Sequence, residues 1–110
     1  MPIVKELDAA TFVSELAQQK IAIVDFYASW CGSCRLFAPA FERVAGKNSQ
    51  LPFYKVDGDQ HPATREGLEI DNLPFVAIYE HGKPIGGVNL SKEDALEELV
   101  AKVRKKAGLE

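Results

Sequence analysis

The sequence predicts an α/β fold, a sheet with helices on both faces. Three observations predict it. Strand-like and helix-like segments alternate as β-α-β-α-β-α-β-β-α along 110 residues, a length that fits one domain over 1–110. The run Ile21-Ala22-Ile23-Val24-Asp25-Phe26-Tyr27-Ala28 has no polar alternation, and a strand apolar on both sides belongs in the middle of a parallel sheet with helices on both faces. Phe37, Phe41 and Val44 stand at i, i+4 and i+7, the spacing of a buried helical stripe.

Taken in order, Ile3 to Leu7 is a short β-branched strand candidate. Asp8 can cap the helix that follows, over about 9–18, with Phe12, Val13 and Leu16 on one face. After the apolar strand a second helix begins at the cysteines and runs to about Ala45. Pro39 inside it removes a backbone donor and predicts a kink. Pro52 to Val56 is a third strand. The turn Asp57-Gly58-Asp59-Gln60-His61-Pro62 leads to a short helix over 63–68. Phe75 to Tyr79 is a strand, Glu80 to Lys83 a hairpin turn with Gly82 supplying positive φ, and 85–89 an edge strand. Ser91-Lys92-Glu93-Asp94 reads as a capping box with Asp in place of Glu. It opens a last helix to about Lys105 that points Leu96, Leu99, Val100 and Val103 at the core.

Composition narrows the function. Thirteen basic and sixteen acidic residues leave a net charge of −3, which argues against nucleic acid as a partner. No apolar run approaches the ~20 residues of a membrane helix. Met1-Pro2-Ile3-Val4-Lys5-Glu6 lacks the basic start and apolar region of a signal peptide, so the expected location is cytoplasmic.

The chemistry concentrates in Trp30-Cys31-Gly32-Ser33-Cys34-Arg35, which holds both cysteines of the chain. A C-x-x-C that leaves a buried strand and opens a helix reads as a redox dithiol. So short a loop gains only about 2 kcal/mol from closure, which makes the pair poor as a staple. Two other readings stand beside this one. The pair is inert core, or it is half of a zinc site; zinc normally takes four ligands, and only His61 and His81, both in turns, remain. Asp57-x-Asp59-x-His61 suggests calcium but fails, with Pro62 and Leu68 where glycine and glutamate are needed.

Over nearly its whole length the chain resembles a thioredoxin. The resemblance rests on Asp25 in the central strand, Trp30-Cys31-Gly32-x-Cys34 and Pro39. Lys55, Leu73-Pro74 and the Gly82 hairpin add to it. It implies a mixed sheet of four to five strands flanked by about four helices, with a cis peptide at Leu73-Pro74. It also implies a monomer without cofactor or metal that reduces disulfide-containing proteins and is itself re-reduced by a flavoprotein thioredoxin reductase. The chain departs from the family at five positions. Ser33 replaces a proline, Tyr27 a tryptophan, Phe75 a threonine, Val88 a glycine, and Gly58 an apolar contact residue.

Site roles follow from residue chemistry read against that resemblance. Cys31, at a helix N-terminus that favours a thiolate, is the expected nucleophile, and Cys34, one turn in and more buried, the resolving thiol. Asp25, buried with a raised pKa, is the expected proton acceptor for Cys34; an Asp that only bonds backbone is the alternative. Lys55 on the next strand moderates that shift. Trp30, Gly32, Ser33, Leu73, Pro74 and Val88 are expected to bind substrate, with a peptide lying strand-like along Leu73. For Trp30 and Val88 the alternatives are plain core and edge packing. Arg35 either favours the thiolate or is a solvated helix residue. Ser33, lacking a proline ring, is expected to make the couple less reducing than C-G-P-C. The same chemistry run as an oxidase or isomerase, and a non-catalytic binding module, are the competing functions.

Overall fold

A computed structural model describes residues 3–109; Met1 and Pro2, on which the reading of the N-terminus partly rests, lie outside the described residues. The strands are β1 (Val4–Leu7), β2 (Ile21–Tyr27), β3 (Phe53–Asp57), β4 (Phe75–Glu80) and β5 (Lys83–Asn89). The helices are α1 (Phe12–Ala17), α2 (Gly32–Lys47) and α3 (Glu93–Lys106). The strands form one mixed sheet in the order β1-β3-β2-β4-β5. β1, β3 and β2 are parallel; β4 runs antiparallel to β2, and β5 to β4.

The apolar run 21–27 is thus the central strand. Its even and odd residues serve two cores. Ala22, Val24 and Phe26 pack with Phe12 and Leu16 of α1. Ile21 and Ile23 pack with Phe37, Phe41 and Val44 of α2 and with Leu96, Val100 and Val103 of α3. Burying each such side chain contributes roughly 1.5–3 kcal/mol. Asp25 falls on the α2 side of this strand, which is what brings a carboxylate beneath the cysteine-bearing helix.

Several elements differ from the sequence expectation, each for a local reason. Among the described residues there are three α-helices rather than about four. The segment expected as a helix over 63–68 is a 3-10 turn, Pro62–Arg65, closed by Thr64 Oγ1 donating to the His61 carbonyl. Glu66, at ψ 134°, leaves the helical region directly after it, and Gly67 follows at φ 87°. α1 starts three residues late. Asp8 spends its carboxylate on the N–H groups of Ala10 and Thr11 and on the Thr11 hydroxyl, making a turn before the helix rather than a cap on it. Val13 then faces solvent at 76% exposure while Phe12 and Leu16 are buried, because i and i+4 share a helical face and i+1 does not. α3 starts at Glu93 with Lys92 as its N-cap and no side-chain cap, so the Ser91 capping box does not form. Leu73-Pro74 is cis, and the β4–β5 turn has positive φ at His81 as well as Gly82.

Candidate functional site

β2 ends at Tyr27, and a tight turn aims the chain back over the sheet, with the Cys31 N–H donating to the Ala28 carbonyl at 3.1 Å. Cys31 is the N-cap of α2, in extended conformation, and its Sγ accepts the Cys34 N–H at 3.2 Å. A sulfur has taken the place of the usual capping oxygen. Free N–H groups and the positive end of the helix dipole therefore converge on Cys31, which stabilises a thiolate there once the pair is reduced. Cys31 and Cys34 are joined as a disulfide with Cα atoms 5.3 Å apart. They are covered to similar degrees, 6% and 4% exposed, and pack against Ala28, Tyr27 and Leu73.

What separates the two sulfurs is the surface each one faces. Cys31 borders a groove walled by Trp30, Gly32 and Ser33 on one side and by Ile70, Asn72 and Leu73 on the other. Cys34 borders a second opening between α2 and the sheet, floored by Asp25, Tyr27 and Lys55 and roofed by Arg35 and Ala38. Arg35 Nη1 donates to the Ser29 carbonyl at 2.9 Å.

Asp25 is 4% exposed, and among the described residues its Oδ1 has no hydrogen-bond partner. Burial raises its pKa to about 8, and the Lys55 charge opposite it in register pulls partly the other way. Glu6, Lys55 and Asp25 form one row across β1, β3 and β2. Tyr27 donates its phenol proton to Glu6 over this row. Burial and that carboxylate hold the phenol well above the usual tyrosine range.

The expected substrate-binding residues divide. Trp30, Gly32, Ser33 and Leu73 line the Cys31 groove. Trp30 is 67% exposed and donates its Nε1–H to Asp59 at 3.2 Å, which tethers its ring at the rim. Ser33 Oγ lies 3.3 Å from the Leu73 carbonyl and 3.4 Å from Cys31 Sγ. Pro74 is buried beneath the rim, its carbonyl taken by Asn89 Nδ2 at 2.7 Å. Val88 lies on the edge strand opposite Val76, outside the groove lining. Asp59, Arg65, Ile70, Asp71 and Asn72 also line the groove, and none belongs to a motif that points to this site. They belong to turns that meet Cys31 only after the sheet has formed, so sequence spacing gave no sign of them.

Two departures from the family are filled by neighbours. A side chain on Gly58 would stand 3.2 Å from Arg65 Cδ and 3.4 Å from Phe26, so the Arg65 stem occupies the space of the missing apolar residue. A side chain on Gly87 would stand 2.5 Å from the Phe75 ring, so Gly87 makes room for the phenylalanine.

Comparison with known proteins agrees with this geometry. The family model described as Thioredoxin matches residues 3–105. Thioredoxin-1 of Saccharomyces cerevisiae is 33% identical over 93 residues, 84% of this chain and 90% of that protein. The structure of Plasmodium falciparum thioredoxin superposes with a TM-score of 0.83 at 32% identity, covering 90% of this chain and 98% of the other. A chain from the structure of a ferredoxin:thioredoxin reductase–thioredoxin f2 complex gives 0.82 at 27% identity, covering 92% and 94%.

Proposed function

The chain belongs to the thioredoxin family, and on that premise we propose that it reduces protein disulfides through a mixed disulfide on Cys31. The observation that carries the proposal is the division of the dithiol between two surfaces: Cys31 on an open groove, Cys34 beside a buried carboxylate.

The Cys31 thiolate attacks one sulfur of a substrate disulfide. A bond forms between Cys31 and that sulfur, and the other substrate sulfur leaves as a thiolate that takes a proton from solvent. Cys34 then loses its proton to the Asp25 carboxylate and attacks Cys31 Sγ. The mixed disulfide breaks, the second substrate thiol is released, and two electrons have passed from the protein to the substrate. A carboxyl with a pKa near 8 is matched to proton exchange with a thiol of ordinary pKa about 8.5. Lys55 tempers that value. Trp30, Gly32, Ser33 and Leu73 receive the substrate chain; Pro74 shapes the Leu73 backbone, and Val88 extends the contact along the edge strand. A flavoprotein thioredoxin reductase restores the dithiol. The place of action in this reading is the cytoplasm, where thiols are kept reduced, and the working unit is a monomer.

Dithiothreitol-dependent reduction of insulin tests the proposal. The wild-type chain should accelerate precipitation of the insulin B chain, and Cys31→Ser should fall to the dithiothreitol background. Activity retained in Cys31→Ser would refute it.

A further inference from the structure

Ser33 stands where the family carries a residue without a donor, and its hydroxyl lies within reach of two acceptors. The Leu73 carbonyl is 3.3 Å away and Cys31 Sγ 3.4 Å. A hydroxyl has one proton to give. In the disulfide, Cys31 Sγ is uncharged and a weak acceptor, so the proton belongs to Leu73 O. In the reduced protein the Cys31 thiolate is the stronger acceptor, because hydrogen bonds to an ionised partner are roughly twice as strong as neutral ones.

We infer that Ser33 is a positioning residue that controls access to the Leu73 carbonyl according to the redox state of Cys31. When the pair is oxidised, Ser33 covers that carbonyl. When the pair is reduced, the hydroxyl turns to the Cys31 thiolate and leaves the carbonyl open to a backbone N–H of the incoming peptide. The form that needs a substrate thereby presents its docking edge, and the form that has finished with one withdraws it. The inference rests on the proposed function for the peptide's path along Leu73. The proton switch itself does not require a substrate.

The geometry suits such an exchange. Ser33 is exposed and in the first turn of α2, so its hydroxyl turns by rotation about one bond. Cys31 already accepts one N–H, from Cys34 at 3.2 Å, and Ser33 adds a second donor. The charged groups facing the groove, Asp59, Arg65 and Asp71, and Arg35 on the same helix, are unchanged in the variants that isolate the hydroxyl.

The test compares wild type, Ser33→Ala and Ser33→Thr, each oxidised and each reduced with dithiothreitol. Reduction converts the protein disulfide and one dithiothreitol into cyclic oxidised dithiothreitol, a Cys31 thiolate, a Cys34 thiol and one proton released to solvent. Two quantities are read: the carbon-13 shift of the Leu73 carbonyl, and the Cys31 pKa from thiolate absorbance near 240 nm. In wild type and Ser33→Thr the Leu73 carbonyl should move upfield on reduction. In Ser33→Ala it should hold one upfield position in both states. The Cys31 pKa should rise by about one unit in Ser33→Ala and return toward wild type in Ser33→Thr. A Leu73 carbonyl that ignores reduction in wild type, or that moves equally in Ser33→Ala, overturns the inference. So does a Cys31 pKa indifferent to the hydroxyl. Neither reading uses a protein substrate, so a failed insulin assay and a failed switch are separate results.

Discussion

Asp25 carries a cost that its strand does not offset. One carboxylate oxygen is without a partner among the described residues, and the pKa is raised from 3.8 to about 8. Between those values the unfolded chain ionises at this residue and the folded chain resists, so the folded state holds the extra proton. Stability is then greatest at and below about pH 4 as far as this group is concerned, and falls as pH rises toward 8. Asp25→Asn should remove that slope and stabilise the protein at pH 7 by roughly 2–4 kcal/mol. It should also slow resolution by Cys34. Urea titrations at pH 4.5 and 7.5 measure the first effect; a variant as pH-dependent as wild type over that range would contradict it. The same residue was legible in the sequence, because a lone carboxylate in a run of Ile, Val and Phe has no cheap structural explanation. Its unpartnered oxygen was not legible, since Lys55 on the neighbouring strand had the charge to pair with it.

At the scale of elements, the β4–β5 pair shows how the departure at Phe75 is accommodated by a glycine on the next strand. Phe75 and Gly87 lie on the same face of adjacent antiparallel strands, and the ring rests where a Gly87 side chain would be. Gly87→Ala should destabilise the fold by about 1–3 kcal/mol through overpacking. Phe75→Thr in the same chain should recover most of that loss, a coupling that a double-mutant cycle in urea detects. Additive effects would contradict the contact. Elements with strong periodicity were readable: β2 from its unbroken apolar run, and α2 from Phe37, Phe41 and Val44, all buried. Helix ends were less so. Asp8 and Ser91 are both good capping residues, yet neither is the N-cap of its helix. Local hydrogen bonding offers such side chains several equivalent turns, and tertiary packing chooses among them.

For the whole molecule, the sheet order β1-β3-β2-β4-β5 puts the β2–α2 turn beside the segment before β4 and the turn after β3. This convergence makes the groove at Cys31, and no pattern within a single segment announces it. The chain is a thiol–disulfide oxidoreductase of the thioredoxin family, so its poise is a property of the folded couple rather than of either cysteine. With the ring of a proline absent and a hydroxyl added beside Cys31, the couple should be less reducing than its own Ser33→Pro variant, by roughly 20–60 mV. Equilibration against glutathione or dithiothreitol measures this, and equal potentials would contradict it. The most direct test of the division of labour between the two sulfurs is to trap the mixed disulfide. Cys34→Ser, mixed with a disulfide substrate and alkylated, should carry the substrate on Cys31, identified by mass spectrometry of the tryptic peptide. Cys31→Ser should carry none. Adducts of equal yield on the remaining cysteine of both variants would contradict the assignment of Cys31 as nucleophile.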